Sequence, residues 1–162
     1  MGSFFKQVYE KKLLKDAPAF YDWLFDDTRF TGAPWDAEGK GKFTKKLKHL
    51  GGFGNRTFKR KTKADSYPVI RTKRNRKRKP FALFSCDGSE GQAFVRHVRN
   101  AIAHGQAEIY TVDEIDYAEL RDFGKYGQTS YIAMPVSYLD SIYLIYREVE
   151  VGKSSDRKGR HQ

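Results

Sequence analysis

Within thirteen residues, AFVRHVRNAIAHG from Ala93 to Gly105, the chain sets Arg96, His97, Arg99, Asn100 and His104 among small and apolar neighbours. An arginine grips phosphate oxygens through a planar fork of donors and keeps its charge. A histidine gives or takes a proton near neutral pH. Together they supply what attack of a ribose 2′-OH on its neighbouring phosphate requires, proton transfer and stabilisation of developing charge. That step does not call for a metal. The four histidines, His49, His97, His104 and His161, form no HExxH or Cys/His ligand pattern.

On a helical wheel at about 100° per residue, Phe94, Val95, Val98, Ala101 and Ile102 make one apolar stripe. The opposite face carries Arg96, Asn100 and His104 in an i, i+4, i+8 row, with Arg99 on one edge and His97 on the other. Arg99 and His104 stand roughly 140° apart on that wheel, so one copy of the helix does not stack them. A second copy related by a two-fold axis would pool two arginines and two histidines in one cleft. An ordinary solvated helix face fits the same residues, and on the residues alone both readings stand.

The elements that must position these groups are legible in outline. The helix is expected from about Ser89 to His104, with Asp87 or Ser89 capping its start and Gly105 ending it. AEIYTV and TSYIAM read as strands, YAELRDFGKYG between them as a further strand or a long hairpin, and PFALFSC as extended and buried. Pro135 is expected to open a final helix whose stripe runs Val136, Leu139, Ile142, Ile145 or Tyr146 and Val149. Two short helices around Phe4–Leu14 and Phe20–Leu24 precede these, and Phe43, Leu47 and Leu50 mark a brief amphipathic one. The expected fold class is α+β but mainly α, one domain over 1–151 with a disordered polar tail over 152–162.

Charge is concentrated rather than spread. The chain has a net charge of +11, yet Lys40 to Lys79 alone holds seventeen Lys and Arg against the single acid Asp65, so the remainder is net acidic. Seven of the nine residues from Arg71 to Lys79 are basic: Arg71, Lys73, Arg74, Arg76, Lys77, Arg78 and Lys79. A phosphate-rich partner, RNA, is the leading explanation, with 36–80 a basic insertion that holds it. Phe53, Phe58 and Tyr67 would stack on bases. A polycationic loop of non-specific affinity is the plainer alternative. No apolar run is long enough to span a membrane. The opening MGSFFKQVYEKKLLK lacks a signal-peptide core, and Cys86 is the only cysteine, so a cytoplasmic protein is expected.

The string HVRNAIAHG resembles the signature of the HEPN superfamily, small helical domains that include many metal-independent ribonucleases. Its motif is an arginine, commonly a following polar residue, and a histidine four to six positions on; Arg99, Asn100 and His104 match it. A wider similarity, to a bacterial group of HEPN family nucleases, covers the last half of the chain through TSYIAMPVSYLDSIYLIYREVE. The resemblance implies a HEPN-like helical bundle with a small antiparallel sheet, and an endoribonuclease without cofactor, usually a homodimer through the signature helix. Arg99 and His104 would be catalytic and Asn100 supporting, with Arg96 and His97 beside them binding substrate. Products would carry 2′,3′-cyclic phosphate and 5′-hydroxyl ends. Such domains often act as toxins, phage-defence factors or stress effectors with an antitoxin or regulatory partner. Gln106 departs from the tyrosine often found two residues after the histidine, which sets that form of regulation apart. The alternative is a non-catalytic RNA-binding or ribosome-associated protein, for which the basic segment suffices.

Overall fold

A computed structural model describes residues 3–26, 42–50, 53, 57–61, 67–68 and 76–160, with side chains up to residue 148. In chain order the elements are α1 (Ser3–Lys11), α2 (Ala17–Leu24), α3 (Lys42–Lys48), β1 (Phe58–Arg60), β2 (Phe81–Phe84), α4 (Glu90–Ala103), β3 (Ala107–Val112), β4 (Ile115–Gly124), β5 (Gly127–Pro135) and α5 (Ser137–Arg160).

The strands form one five-stranded sheet in the order β1-β2-β5-β4-β3. β3, β4 and β5 are an antiparallel meander, β2 joins β5 antiparallel, and β1 lies parallel to β2 on the edge. This corrects the expected mainly helical HEPN-like bundle with a small antiparallel sheet: the sheet is mixed and is the organising layer. The reason is the continuous buried runs of β2, β4 and β5, whose inward members make a broad apolar face that helices must cover. Ala82, Phe84, Ala118, Leu120, Ile132 and Met134 point to that face and pack against Phe4, Phe5, Val8, Phe20, Trp23, Leu24, Phe43 and Leu47 of the helices. Aromatic rings fill the interface. Phe94 of α4 lies 5.2 Å from Phe58 and 5.9 Å from Phe84, and Trp23 of α2 lies 4.7 Å from Tyr146 of α5.

Turn chemistry fixes the meander. Asp113 and Glu114 take φ of 49° and 68° between β3 and β4, the paired positive values of a type I′ hairpin. Lys125 and Tyr126 join β4 to β5, and the register slips between Asp122 and Phe123, so that Asp122 faces Ser130 while Phe123 faces Gln128. Such a bulge bends and re-aims the strand end.

Three further expectations change. Pro135 is the last residue of β5, opposite Tyr117, and the helix begins at Ser137; the prolyl ring has no N–H to give a ladder and so suits a strand end as well as a helix start. α5 continues to Arg160, as elongation of an existing helix adds one backbone bond per residue. Parts of the supposed basic arm belong to the fold itself: α3 packs through Phe43 and Leu47, and β1 extends the sheet. Phe53 and Phe58, expected to stack on bases, are core residues at 8% and 4% exposure, because an aromatic side chain gains more from this apolar interface than from water.

Candidate functional site

α4 is placed by both of its ends. Ser89 Oγ accepts the Gln92 N–H at 3.1 Å, and Glu90 sits in the first turn where the helix dipole favours an acid. At the other end Gly105 has φ +71°, its N–H reaches the Ile102 carbonyl, and the Gln106 N–H reaches that of Ala101 at 2.8 Å. That is a Schellman closure, and it hands the chain directly to β3. The apolar stripe, Phe94, Val95, Val98, Ala101 and Ile102, is buried as the wheel requires.

The polar face divides into a buried part and an outer part. His97 is only 4% exposed. Its Nδ1 lies 2.9 Å from Asp122 Oδ2, and its Nε2 lies 2.7 Å from the Ser85 carbonyl oxygen and 3.3 Å from Ser85 Oγ. Asn100 Nδ2 donates to the same Asp122 Oδ2 at 3.2 Å. Asp122 Oδ1 accepts the Phe123 N–H, and the Asp122 N–H donates to Ser130 Oγ at 3.0 Å. One carboxylate thus ties α4 to β4, with Ser130 of β5 fixing its backbone. His97, expected to bind substrate, is instead an internal group of this network.

Ser85, His97 and Asp122 follow the order of a nucleophile–base–acid array, but the distances argue otherwise. Nε2 lies 2.7 Å from the Ser85 carbonyl oxygen and 3.3 Å from its hydroxyl, so the ring is aimed at the main chain rather than at the Ser85 side chain. Cys86 is no better activated. Burial, then Glu90, raise its thiol pKa, outweighing Arg60 and Arg96 nearby.

The outer residues are differently placed. His104 is exposed at the helix C-cap. Arg99 is partly exposed, with its guanidinium 5.9 Å from the Phe25 ring. Arg96 is partly exposed beside Cys86. The fold therefore brings His97 and Asn100 together on Asp122, whereas Arg99 and His104 flank them.

Of the basic run, Arg71, Lys73 and Arg74 lie outside the described residues. Arg76 to Lys79 cross the sheet face opposite α4. Arg76 donates to Glu108 at 3.2 Å, lies 3.8 Å from Glu119 and stacks 4.9 Å from the Tyr110 ring. Arg78 donates to Asp113 at 3.2 Å. Tyr110 and Tyr117 donate their hydroxyls to the Lys77 and Arg78 carbonyls, and the Lys77 ammonium lies 4.3 Å from the Phe81 ring. Lys79 is exposed. Half of this quartet is thus paired with acids of the sheet rather than held out to solvent.

Asp122 is the functional candidate that sequence reading passes over. Its signal lies in YAELRDFG: at period two, Asp122 shares the inward face of Ala118 and Leu120, and a carboxylate there needs partners. Among the described residues no group of three or more His, Cys, Asp or Glu side chains is arranged to hold a metal, and no helix is long and apolar enough to cross a membrane. No protein-family model matches this chain, and neither a curated protein nor a solved structure is significantly similar to it.

Proposed function

We propose that this protein is an RNA-binding endoribonuclease that cleaves by 2′-OH attack and works through the outer edge of α4. The observation that carries the proposal is the Asp122 anchor. A carboxylate bonded to His97 and Asn100 fixes the rotation of α4 while His104 stays exposed and Arg99 partly so. A fixed helix presenting a proton-transfer group and a permanent cation is the minimum that phosphodiester transesterification requires.

In this reading His104 moves the proton of the ribose hydroxyl or of the leaving oxygen, and Arg99 stabilises the charged phosphorane. Asn100, with one Nδ2 hydrogen given to Asp122, positions the phosphate through its second Nδ2 hydrogen or through a bridging water. The reading needs α4 and its anchor, not a helical bundle. Arg99 and His104 flank the anchored row, so a homodimer that faces two α4 helices would complete the cleft. Cytoplasmic action as a toxin, phage-defence or stress effector, alone or with a regulatory partner, belongs to the same proposal.

A non-catalytic RNA-binding role is the second reading, and the exposed Lys59, Arg60 and Lys79 favour it, as cations at the surface can pair with phosphates without further chemistry. The substrate itself discriminates. RNA with a single 2′-deoxyribose at the scissile position should resist the enzyme and still bind. Equal cutting of both substrates would reject 2′-OH attack.

A further inference from the structure

The chain has ten tyrosines, and Tyr126 is the exposed one, at 95%. Among the described phenylalanines the exposed one is Phe123, at 46%. Both lie at the β4–β5 tip, three residues apart, with Lys125 between them and its ammonium 5.6 Å from the Tyr126 ring. Every other described aromatic ring is buried or partly buried, so the two rings left in water are gathered at one point. At 95% exposure the Tyr126 ring takes no part in the core, and Phe123 leaves nearly half its surface in water.

The tip also has defined neighbours. Phe123 follows Asp122, the anchor of Asn100, and the same end of the sheet carries Ser85 and Cys86 after β2, with Arg60 and Arg96 beside them. Nearby acids are committed or displaced: Asp122 is buried in its network and Glu90 pairs with Lys48 at 3.0 Å, leaving Asp87 exposed. Exposed rings with interleaved cations are what unpaired bases on a phosphate backbone require. Each base stacks on a ring, and each phosphate finds a cation. In a duplex the base faces are already stacked and cannot reach the rings.

We infer that the β4–β5 hairpin tip is a stacking platform for unpaired bases, with Tyr126 and Phe123 as the rings and Lys125, Arg60 and Arg96 as phosphate contacts, so that the protein selects single-stranded over duplex RNA. This rests on RNA being the ligand, as proposed above, but not on cleavage. Tyr126 presents a whole ring face, and Phe123 a half-exposed one re-aimed by the neighbouring bulge.

The test is binding of a short single-stranded RNA with 2′-O-methyl riboses, which blocks 2′-OH attack, against a blunt duplex of the same length. Wild type should prefer the single strand. Tyr126→Ala with Phe123→Ala should weaken single-strand binding roughly ten- to a hundredfold, the loss expected for one or two stacked bases, with duplex binding unchanged. Tyr126→Phe should retain most of the affinity. Circular dichroism and a thermal melt check that the exposed substitutions leave the fold intact. Unchanged single-strand affinity in the double variant overturns the platform while leaving the RNA reading in place, and absence of any RNA binding by wild type overturns both. If the double variant instead loses binding to anionic phospholipid vesicles and keeps RNA affinity, the tip is a membrane contact and the inference fails.

Discussion

His97 Nδ1 and Asp122 Oδ2, twenty-five residues apart in the chain, stand 2.9 Å from one another across the α4–β4 interface. The pair is buried on both sides, and the same carboxylate oxygen holds Asn100. Low polarisability around it strengthens a completed bond and penalises a broken one. Asp122 therefore does two jobs, holding the sheet to its covering helix and setting the angle at which α4 presents its outer residues.

Removing that carboxylate should be costly. Asp122→Ala leaves the His97 ring, the Asn100 amide and the Phe123 N–H without their acceptor, and is expected to lower unfolding free energy by about 3–5 kcal/mol. Asp122→Asn, which still accepts but carries no charge, should fall between. Denaturant midpoints at constant m-value measure both; a loss below about 1 kcal/mol for the alanine variant would remove the anchor from the account.

Phe58 separates a core aromatic from an RNA-stacking one. Its ring meets Phe84 at 5.2 Å, Phe94 at 5.2 Å and Phe53 at 5.3 Å. Phe58→Ala should cost about 3–5 kcal/mol of stability. A variant of wild-type stability with reduced RNA affinity would restore the stacking role.

Gly91 marks a close approach of α4 to α3. A Cβ there would lie 2.5 Å from Phe43 Cδ1 and 2.9 Å from Thr44 Oγ1, the hydroxyl that accepts the Gly91 N–H. Alanine gains about 1 kcal/mol of helix propensity over glycine. The overlap with a fully buried Phe43 outweighs it, so Gly91→Ala should be destabilising by about 1–3 kcal/mol in a thermal or denaturant melt.

Glu119 gives the sheet a pH signature. Burial raises its carboxyl pKa against the opposing pull of Arg121 and Arg76. The folded state therefore holds that proton more tightly than the unfolded chain does. Its contribution to stability is full below the ordinary glutamate pKa and is lost as pH rises through the raised folded value. Glu119→Gln, a neutral mimic that can still meet the Tyr131 hydroxyl, should match wild type most closely below about pH 4 and gain on it as pH rises to 7. Melts across that range check the sign; a difference independent of pH would contradict it.

What could be read in the residues was local. The span of α4, its Ser89 cap and its Gly105 stop follow from side-chain chemistry within a few positions, and the structure reproduces them. AEIYTV and TSYIAM were legible as strands from their β-branched and aromatic residues, and YAELRDFGKYG between them as a strand or a hairpin. β1 was not, as three residues of FKR carry too little pattern and gain their place only by pairing with β2. The sheet's dominance over the helices was hidden for the same reason: it depends on pairings between distant segments. In the site, helical periodicity placed His97 on an outer edge, whereas it is buried. Its burial comes from Ser85 and Asp122, twelve and twenty-five residues away, which no wheel includes.

We propose that His104, exposed on an anchored helix, moves a proton in RNA cleavage. Purified wild type and His104→Ala, incubated with single-stranded RNA in EDTA, test it most directly. His104→Ala should keep its stability to within about 0.5 kcal/mol, since an exposed side chain away from the network is removed. Wild type should give discrete cuts with 2′,3′-cyclic phosphate ends, and the variant a fall of at least about a hundredfold while RNA binding persists. Equal cutting by both proteins, or none by a wild type that binds RNA, would contradict it.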